Sequence, residues 1–409
     1  MKQLLILGGG TAGSLMANKM VRALPDGWRV TVVDRDDEHI YQPGLLFVPF
    51  GDKRVSDLVR PRMNLVSAQV NRVIGTLAKL DPEAKSAVLE DGTTLSWDVL
   101  VIATGAELHP EWTPGMTGKL WRTDVHEFYS PAGAEALAAR LDSWDGGRLV
   151  VNIMDMPIKC PVAPLEFTFL VDAWLTKRGL RDKTELIYVT PLDGAFTKPV
   201  ASASLGGMLE KRGIAQVVNF LTEAVVEDKK VLRSYDGREL NFDLLVTVPL
   251  HGGADPIKAC GLGDELGFVP TDKHTLQSVK YDHIFVIGDA TDLPTSKAGA
   301  VAHFQGDILP ANVLRFIEGR PLLPAFDGHA NCFIETGHGK AMLIDFNYET
   351  EPLPGRFPLP GIGPFYLLEE SRINHLGKLA FEWAYWNVLV KGDELPLDHN
   401  MLMYGKRTS

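Results

Sequence analysis

Cysteine is scarce in this chain. Cys160, Cys260 and Cys332 are the three in 409 residues, and they stand too far apart for a disulfide scaffold or a zinc site, so no metal is expected. Long apolar runs are missing as well: no stretch reaches about 18 uninterrupted apolar residues, so no spanning helix is expected. No basic region, apolar run and cleavage site precede the opening strand "KQLLILGGG", and no secretory signal is expected in this form. Positive charge is in deficit. There are 41 Lys and Arg against 52 Asp and Glu, a net −11, so a nucleic-acid partner is not expected. Low-complexity tracts and short repeats are absent. What remains is ordinary globular material, 45% apolar and 23% charged. Its length suits two or three domains at roughly 100–200 residues each.

The first motif follows at once. Residues 4–7 are a short apolar run that reads as a buried parallel strand. Gly8, Gly10 and Gly13 then fit G-x-G-x-x-G, with Thr11 and Ala12 between the last two. A helix over 11–24 and a strand over 29–33 follow, ending at Asp34 and Arg35. The glycines let the backbone approach a pyrophosphate, whose charge sits at the helix N-terminus. Asp34 is placed for a ribose hydroxyl. The alternative is a glycine-rich turn with no ligand.

Two further segments extend the pattern. "WDVLVIATGA" is a buried strand ending in Ala103-Thr104-Gly105, and "YDHIFVIGDA" is another ending in Gly288-Asp289. Over roughly residues 1–320 these resemble the ATG and GD motifs of the flavoprotein disulfide reductase superfamily. That resemblance implies FAD on the first dinucleotide fold, with the GD aspartate on the flavin ribityl chain. Lys297, Ala298 and Gly299 open a helix whose N-terminus would face the flavin pyrimidine ring and stabilise negative charge there. Lys297 would add a positive charge near the quinone or flavin; a solvated lysine is the alternative.

The superfamily repeats its glycine motif for a nicotinamide cofactor, and here the repeat lacks its glycines. A strand over 148–153 and a helix over 164–178 flank "MDMPIKCPVAPLEF", where Met154, Met156 and Ile158 fill the turn and Cys160 sits between prolines. The second site is therefore expected to be vestigial. The helix dipole and Lys159 are expected to favour a Cys160 thiolate; a buried, inert cysteine is the alternative. "KCPVAPLEFTFL" closely resembles the sulfide:quinone oxidoreductase family, related to flavocytochrome c sulfide dehydrogenase. That resemblance implies a redox pair made by Cys160 and Cys332, the latter in "NCFIETGHGKAMLIDFNY". It also implies a protonic role for Glu166, for which a helix-surface carboxylate is the alternative. Cys260 reads as structural. The family's frequent third cysteine, near residues 120–130, is missing, which implies non-covalent FAD; His126, nearby, reads more readily as a surface residue. The implied partners are sulfide and a membrane quinone, with Phe333, Phe365 and Tyr366 as candidates for a quinone slot and core packing as their alternative.

The C-terminal end supports a membrane surface as partner. After the Pro- and Gly-rich residues 352–371, a helix over 373–390 places Ile373, Leu376, Leu379, Ala380, Trp383 and Trp386 at helical spacing. Its apolar part is too short to span a bilayer but can lie in the interface. A core or homo-oligomer contact is the alternative. The expected architecture is α/β. Two Rossmann-like domains, the first for FAD and the second vestigial for NAD, carry a membrane-associating tail. The expected boundaries are 1–110 and 243–320 for the FAD domain, 111–242 for the second domain, and 321–409 for the tail. The expected location is peripheral, on the cytoplasmic face of a bacterial inner membrane. Rival readings are a type II NADH:quinone dehydrogenase, the flavin subunit of a flavocytochrome c, and a non-enzymatic flavin-bearing sulfur carrier.

Overall fold

Strand Lys2–Leu7 is buried from Leu4 onward, as a strand covered on both faces must be. It sits in the middle of a five-stranded parallel sheet, ordered Ile284–Val286, Val99–Ile102, Lys2–Leu7, Trp28–Asp34, Asn71–Ile74. Helices Thr11–Ala23 and Gly299–Ile317 pack against each other beside it. In a computed structural model, residues 1–359, 363–395 and 398–407 are described. Residues 360–362, part of the Pro- and Gly-rich stretch, lie outside the described residues.

A second five-stranded parallel sheet repeats the design. Its order is Val125–His126, Leu244–Val248, Gly147–Ile153, Thr184–Val189, Ala215–Val217. Helix Ala163–Lys177 follows the strand that leads to the Cys160 turn. Pro164 suits its first turn, where a missing N–H costs nothing. Leu165, Phe167, Phe169, Val171 and Leu175 then bury almost the whole circumference.

The tail adds a four-stranded sheet. The hairpin Ala330–Gly337 and Lys340–Phe346 carries Cys332 and packs on helix Ala163–Lys177. Helix Arg372–Ala384 lies over the same hairpin and starts at a Ser371 cap that accepts from the Asn374 N–H. The periodicity anticipates a continuous helix to 390. Instead the α-helix stops at Ala384 and a π-turn covers Tyr385–Leu389. That widening turns Trp386 inward, so it is buried against His39, with the Arg60 guanidinium 4.3 Å from its ring. Trp386 therefore leaves the exposed stripe, which keeps Leu376, Leu379 and Trp383. No helix among the described residues is long and apolar enough to cross a membrane.

Candidate active site

The first glycine turn is shaped by close approach. A Cβ on Gly13 would lie 1.8 Å from the Gly8 carbonyl oxygen, and one on Gly8 would lie 2.3 Å from that of Ala103. Gly10, Gly105 and Gly299 face open space instead. Asp34 Oδ2 accepts the Gly9 N–H at 2.6 Å and pairs with Arg62 at 3.1 Å. Arg62, which no sequence motif marks, is buried and also donates to the Gly9 carbonyl at 2.8 Å. Helix Gly299–Ile317 begins at Ala298 with no side-chain cap, so its first N–H groups remain available to an acceptor. Open glycines, an acidic group beside the loop and a free helix N-terminus fit a flavin dinucleotide.

Thr11 is committed elsewhere. Its hydroxyl bonds that of Tyr385 at 2.7 Å, and Tyr385 also meets His39 Nε2 at 2.7 Å. The C-terminal π-turn is thereby tied to the dinucleotide loop. Burial, followed by the charge of Arg62, lowers His39 to about 4, and burial followed by Lys159 lowers His251 to about 3. Each stays neutral in the fold while the unfolded histidine takes a proton below its ordinary 6.5. Stability is thus complete above pH 6.5 and is lost as pH falls towards 4 and 3. Each histidine should remove about 2 kcal/mol at pH 5. Urea midpoints at pH 7 and pH 5 check this, and equal midpoints would contradict it.

The Cys160 turn is clasped from both sides. Its N–H donates to the Lys297 carbonyl at 2.6 Å, and its own carbonyl accepts the Ala163 N–H at 2.9 Å and the Tyr129 hydroxyl at 3.3 Å. Cys160 has φ +50°, the left-handed region where glycine is the default residue. Such a conformation stores about 1–3 kcal/mol and persists only when the surroundings enforce it. Met154 and Ile158 are buried in the turn, where a phosphate would need room.

The electrostatics depart from expectation. Burial pushes the Cys160 thiol far above its ordinary range, Glu166 adds to this, and Lys378 opposes it. Burial likewise pushes Cys332 up to about 12. A helix terminus contributes only about 0.3–1 kcal/mol, up to about 2 when partly buried, which does not overcome desolvation. Lys159 does not offset it either: its ammonium reaches towards the Ala106 carbonyl at 3.5 Å and is itself lowered by burial. Lys297 is no solvated cation. It donates to the carbonyls of Asp289 at 2.8 Å and Thr291 at 2.6 Å, lies 3.9 Å from the Phe268 ring, and is lowered to about 8 by burial. Burial also raises the Asp289 carboxyl.

The cation within electrostatic reach of both sulfurs is Lys378, from the C-terminal helix. It pairs with Glu166 at 2.5 Å and donates to the Phe333 carbonyl at 3.0 Å. Burial pulls its ammonium down, but the Glu166 carboxylate, Cys160 and Glu335 together more than offset that and hold it above its usual range. Glu166 is no surface residue: its side chain is 1% exposed, and it accepts the Glu335 N–H at 2.8 Å. Cys160 and Cys332 are both within electrostatic reach of this ion pair and of one another. Phe333 and Phe365 meet edge to face at 5.2 Å beside Gly377, whereas the Tyr366 ring carries the Arg356 guanidinium at 3.4 Å. Cys260 lies apart, half-buried, its thiol donating to the Ile257 carbonyl at 3.3 Å. His126 is buried rather than superficial. The signal for Lys378 was a lone lysine amid apolar helix positions.

Two parallel dinucleotide folds, close glycine approach on the first only, and a cysteine in place of the glycines at the second turn fit a flavoprotein of the pyridine nucleotide-disulphide oxidoreductase class. Residues 2–151 match the family of that description. The mitochondrial sulfide:quinone oxidoreductase of Dictyostelium discoideum is 30% identical over 398 residues, covering 95% of this chain and 86% of the relative. That of Mus musculus is 27% identical over 399 residues with the same coverages. The X-ray structure of the sulfide:quinone oxidoreductase from Aquifex aeolicus shares the fold, with a TM-score of 0.79 and 19% identity over 96% of this chain and 92% of that one. The chain belongs to the sulfide:quinone oxidoreductase family.

Proposed function

We propose that this protein oxidises sulfide at Cys160 and Cys332 and passes the electrons through non-covalently bound FAD to a membrane quinone. The observation that carries the reading is the packing of the Cys332 strand on the helix that follows Cys160, bridged by Glu166, which accepts the Glu335 N–H, and by Lys378, which binds Glu166 and the Phe333 carbonyl. HS⁻ attacks a sulfur bridge between the cysteines, leaving a persulfide on one and a thiolate on the other. Both thiols are pushed up by burial, so the released sulfur needs a counter-charge, and Lys378 supplies it. The persulfide and thiolate then rejoin through the added sulfur, releasing one proton and two electrons. Bound FAD would supply the two-electron carrier between the sulfurs and the quinone. Gly8, Gly10, Thr11, Ala12, Gly13, Asp34 and Arg35 would form its phosphate and ribose side. Ala103, Thr104, Gly105, Gly288, Asp289, Lys297, Ala298 and Gly299 would line the flavin side, with Thr11 and Lys297 acting through the structure they brace. Phe333 and Phe365, beside Lys378, suit a flat aromatic substrate better than Tyr366, which is engaged by Arg356.

Sulfide-dependent reduction of a soluble quinone analogue tests the activity. A protein that reduces a haem acceptor instead, and leaves quinone untouched, would support the flavocytochrome c reading.

The exposed side chains Leu376, Leu379 and Trp383 fall on one stripe of the C-terminal helix and suit an interfacial membrane contact. Replacing all three by Ser should weaken liposome co-sedimentation about tenfold or more while leaving the fold intact. Unchanged sedimentation would remove the stripe from the membrane contact.

A further inference from the structure

Glu335 is a buried carboxylate with no task in the cycle above. Its side chain is 1% exposed, on the strand that carries Cys332. Both of its oxygens face His375 Nδ1, at 2.9 and 3.0 Å. His375 comes from the C-terminal helix, one turn before Lys378, and its side chain is 25% exposed. Inward, the Glu335 N–H binds Glu166 Oε1, and Lys378 binds that same oxygen. Glu335, Lys378 and Glu166 lie within electrostatic reach of one another. A row of titratable groups thus runs from solvent at His375, through Glu335, to the Lys378–Glu166 pair. That pair adjoins Phe333 and both cysteines.

Quinone reduction needs such a row. A quinone becomes a quinol by taking a hydride equivalent from reduced flavin and one proton from the protein. That proton is drawn from water, while the sulfur chemistry releases its own proton elsewhere in the cycle. We propose that His375 and Glu335 form the proton intake for quinone reduction, delivering to Lys378 and Glu166. This rests on the sulfide-to-quinone reading above. Nδ1 faces Glu335, which leaves Nε2 as the nitrogen open to exchange with water. Burial raises the Glu335 carboxyl, the His375 hydrogen bond and the Lys378 charge oppose the rise, and Glu166 adds to it. Other charges on the surrounding elements have their own partners or positions. Arg212 pairs with Glu370 and donates to the Thr336 carbonyl, Asp345 is held by His329 and Lys406, and Arg356 lies over Tyr366. Lys340 and Arg372 are exposed at the ends of their elements.

The holoenzyme can be reduced photochemically, without sulfide, and then mixed with a soluble quinone analogue. In His375→Gln, flavin reoxidation should slow about tenfold or more, most strongly at high pH, and added imidazole should restore it. Bleaching by sulfide should be unaffected. Glu335→Gln should slow reoxidation equally, without rescue by imidazole. Infrared difference spectra across pH give a readout independent of turnover. A carboxyl band absent from Glu335→Gln should titrate at higher pH in His375→Gln, because a lowering partner is gone. Reoxidation at the wild-type rate, equal losses in both half-reactions without rescue, or an unmoved carboxyl band would each overturn the relay. If wild-type reduced flavin ignores quinone altogether, the sulfide-to-quinone reading itself falls, and the relay with it.

Discussion

Cys160→Ser should leave the flavin yellow in excess sulfide, slowing bleaching by about 10³-fold or more. A hydroxyl cannot close a sulfur bridge, and at this buried position it cannot supply the anion that the cycle needs. The substitution is nearly isosteric, and the clasps on the turn are held by the Cys160 main chain, to the Lys297 carbonyl, the Ala163 N–H and the Tyr129 hydroxyl, so they survive. The variant should therefore bind FAD and melt close to the wild type. Stopped-flow absorbance with sulfide reads the result. Bleaching at the normal rate in a folded, FAD-loaded variant would remove Cys160 from the electron path.

Gly13→Ala should abolish FAD binding and destabilise the fold by several kcal/mol. The added Cβ would sit 1.8 Å from the Gly8 carbonyl oxygen, a backbone atom held in place by the Gly8 N–H bond to Val33. Neither group can swing aside as a side-chain tip could. Gly10→Ala is the informative partner. Its Cβ meets nothing within 4 Å and its φ of −68° suits any residue. The fold should survive while FAD affinity falls about tenfold or more, because the methyl occupies the space left for the pyrophosphate. Flavin absorbance per protein and thermal melts separate the two effects. If Gly10→Ala retains full FAD affinity, the dinucleotide does not lie against that loop.

Much of this architecture is legible in local sequence because local physics dictates it. Gly8 and Gly13 are required by atoms a few residues away or on an adjacent strand. The unbroken apolar runs at 4–7, 99–102 and 284–286, each closed by a glycine turn, read as strands covered on both faces, and they are. The Cys160 turn betrays itself by what replaces the glycines. The rest depends on contacts that no local pattern encodes. Lys378 meets Glu166 across 212 residues, and Tyr385 meets Thr11 across 374. The thiol departs from the local pattern for the same reason. Helix dipole and Lys159 are readable in the sequence, but the depth of burial is not, and burial is the larger effect. A 3.6-residue period puts Trp386 on the same stripe as Leu379 and Trp383, and the π-turn that breaks this period carries it inward.

The central claim is that sulfur, not a nicotinamide ring, brings electrons to the flavin. An anaerobic titration of the holoenzyme followed by flavin absorbance tests it most directly. Stoichiometric sulfide should bleach the flavin, an added quinone analogue should restore the colour, and excess NADH should leave it unchanged. Bleaching by NADH with indifference to sulfide would contradict the account.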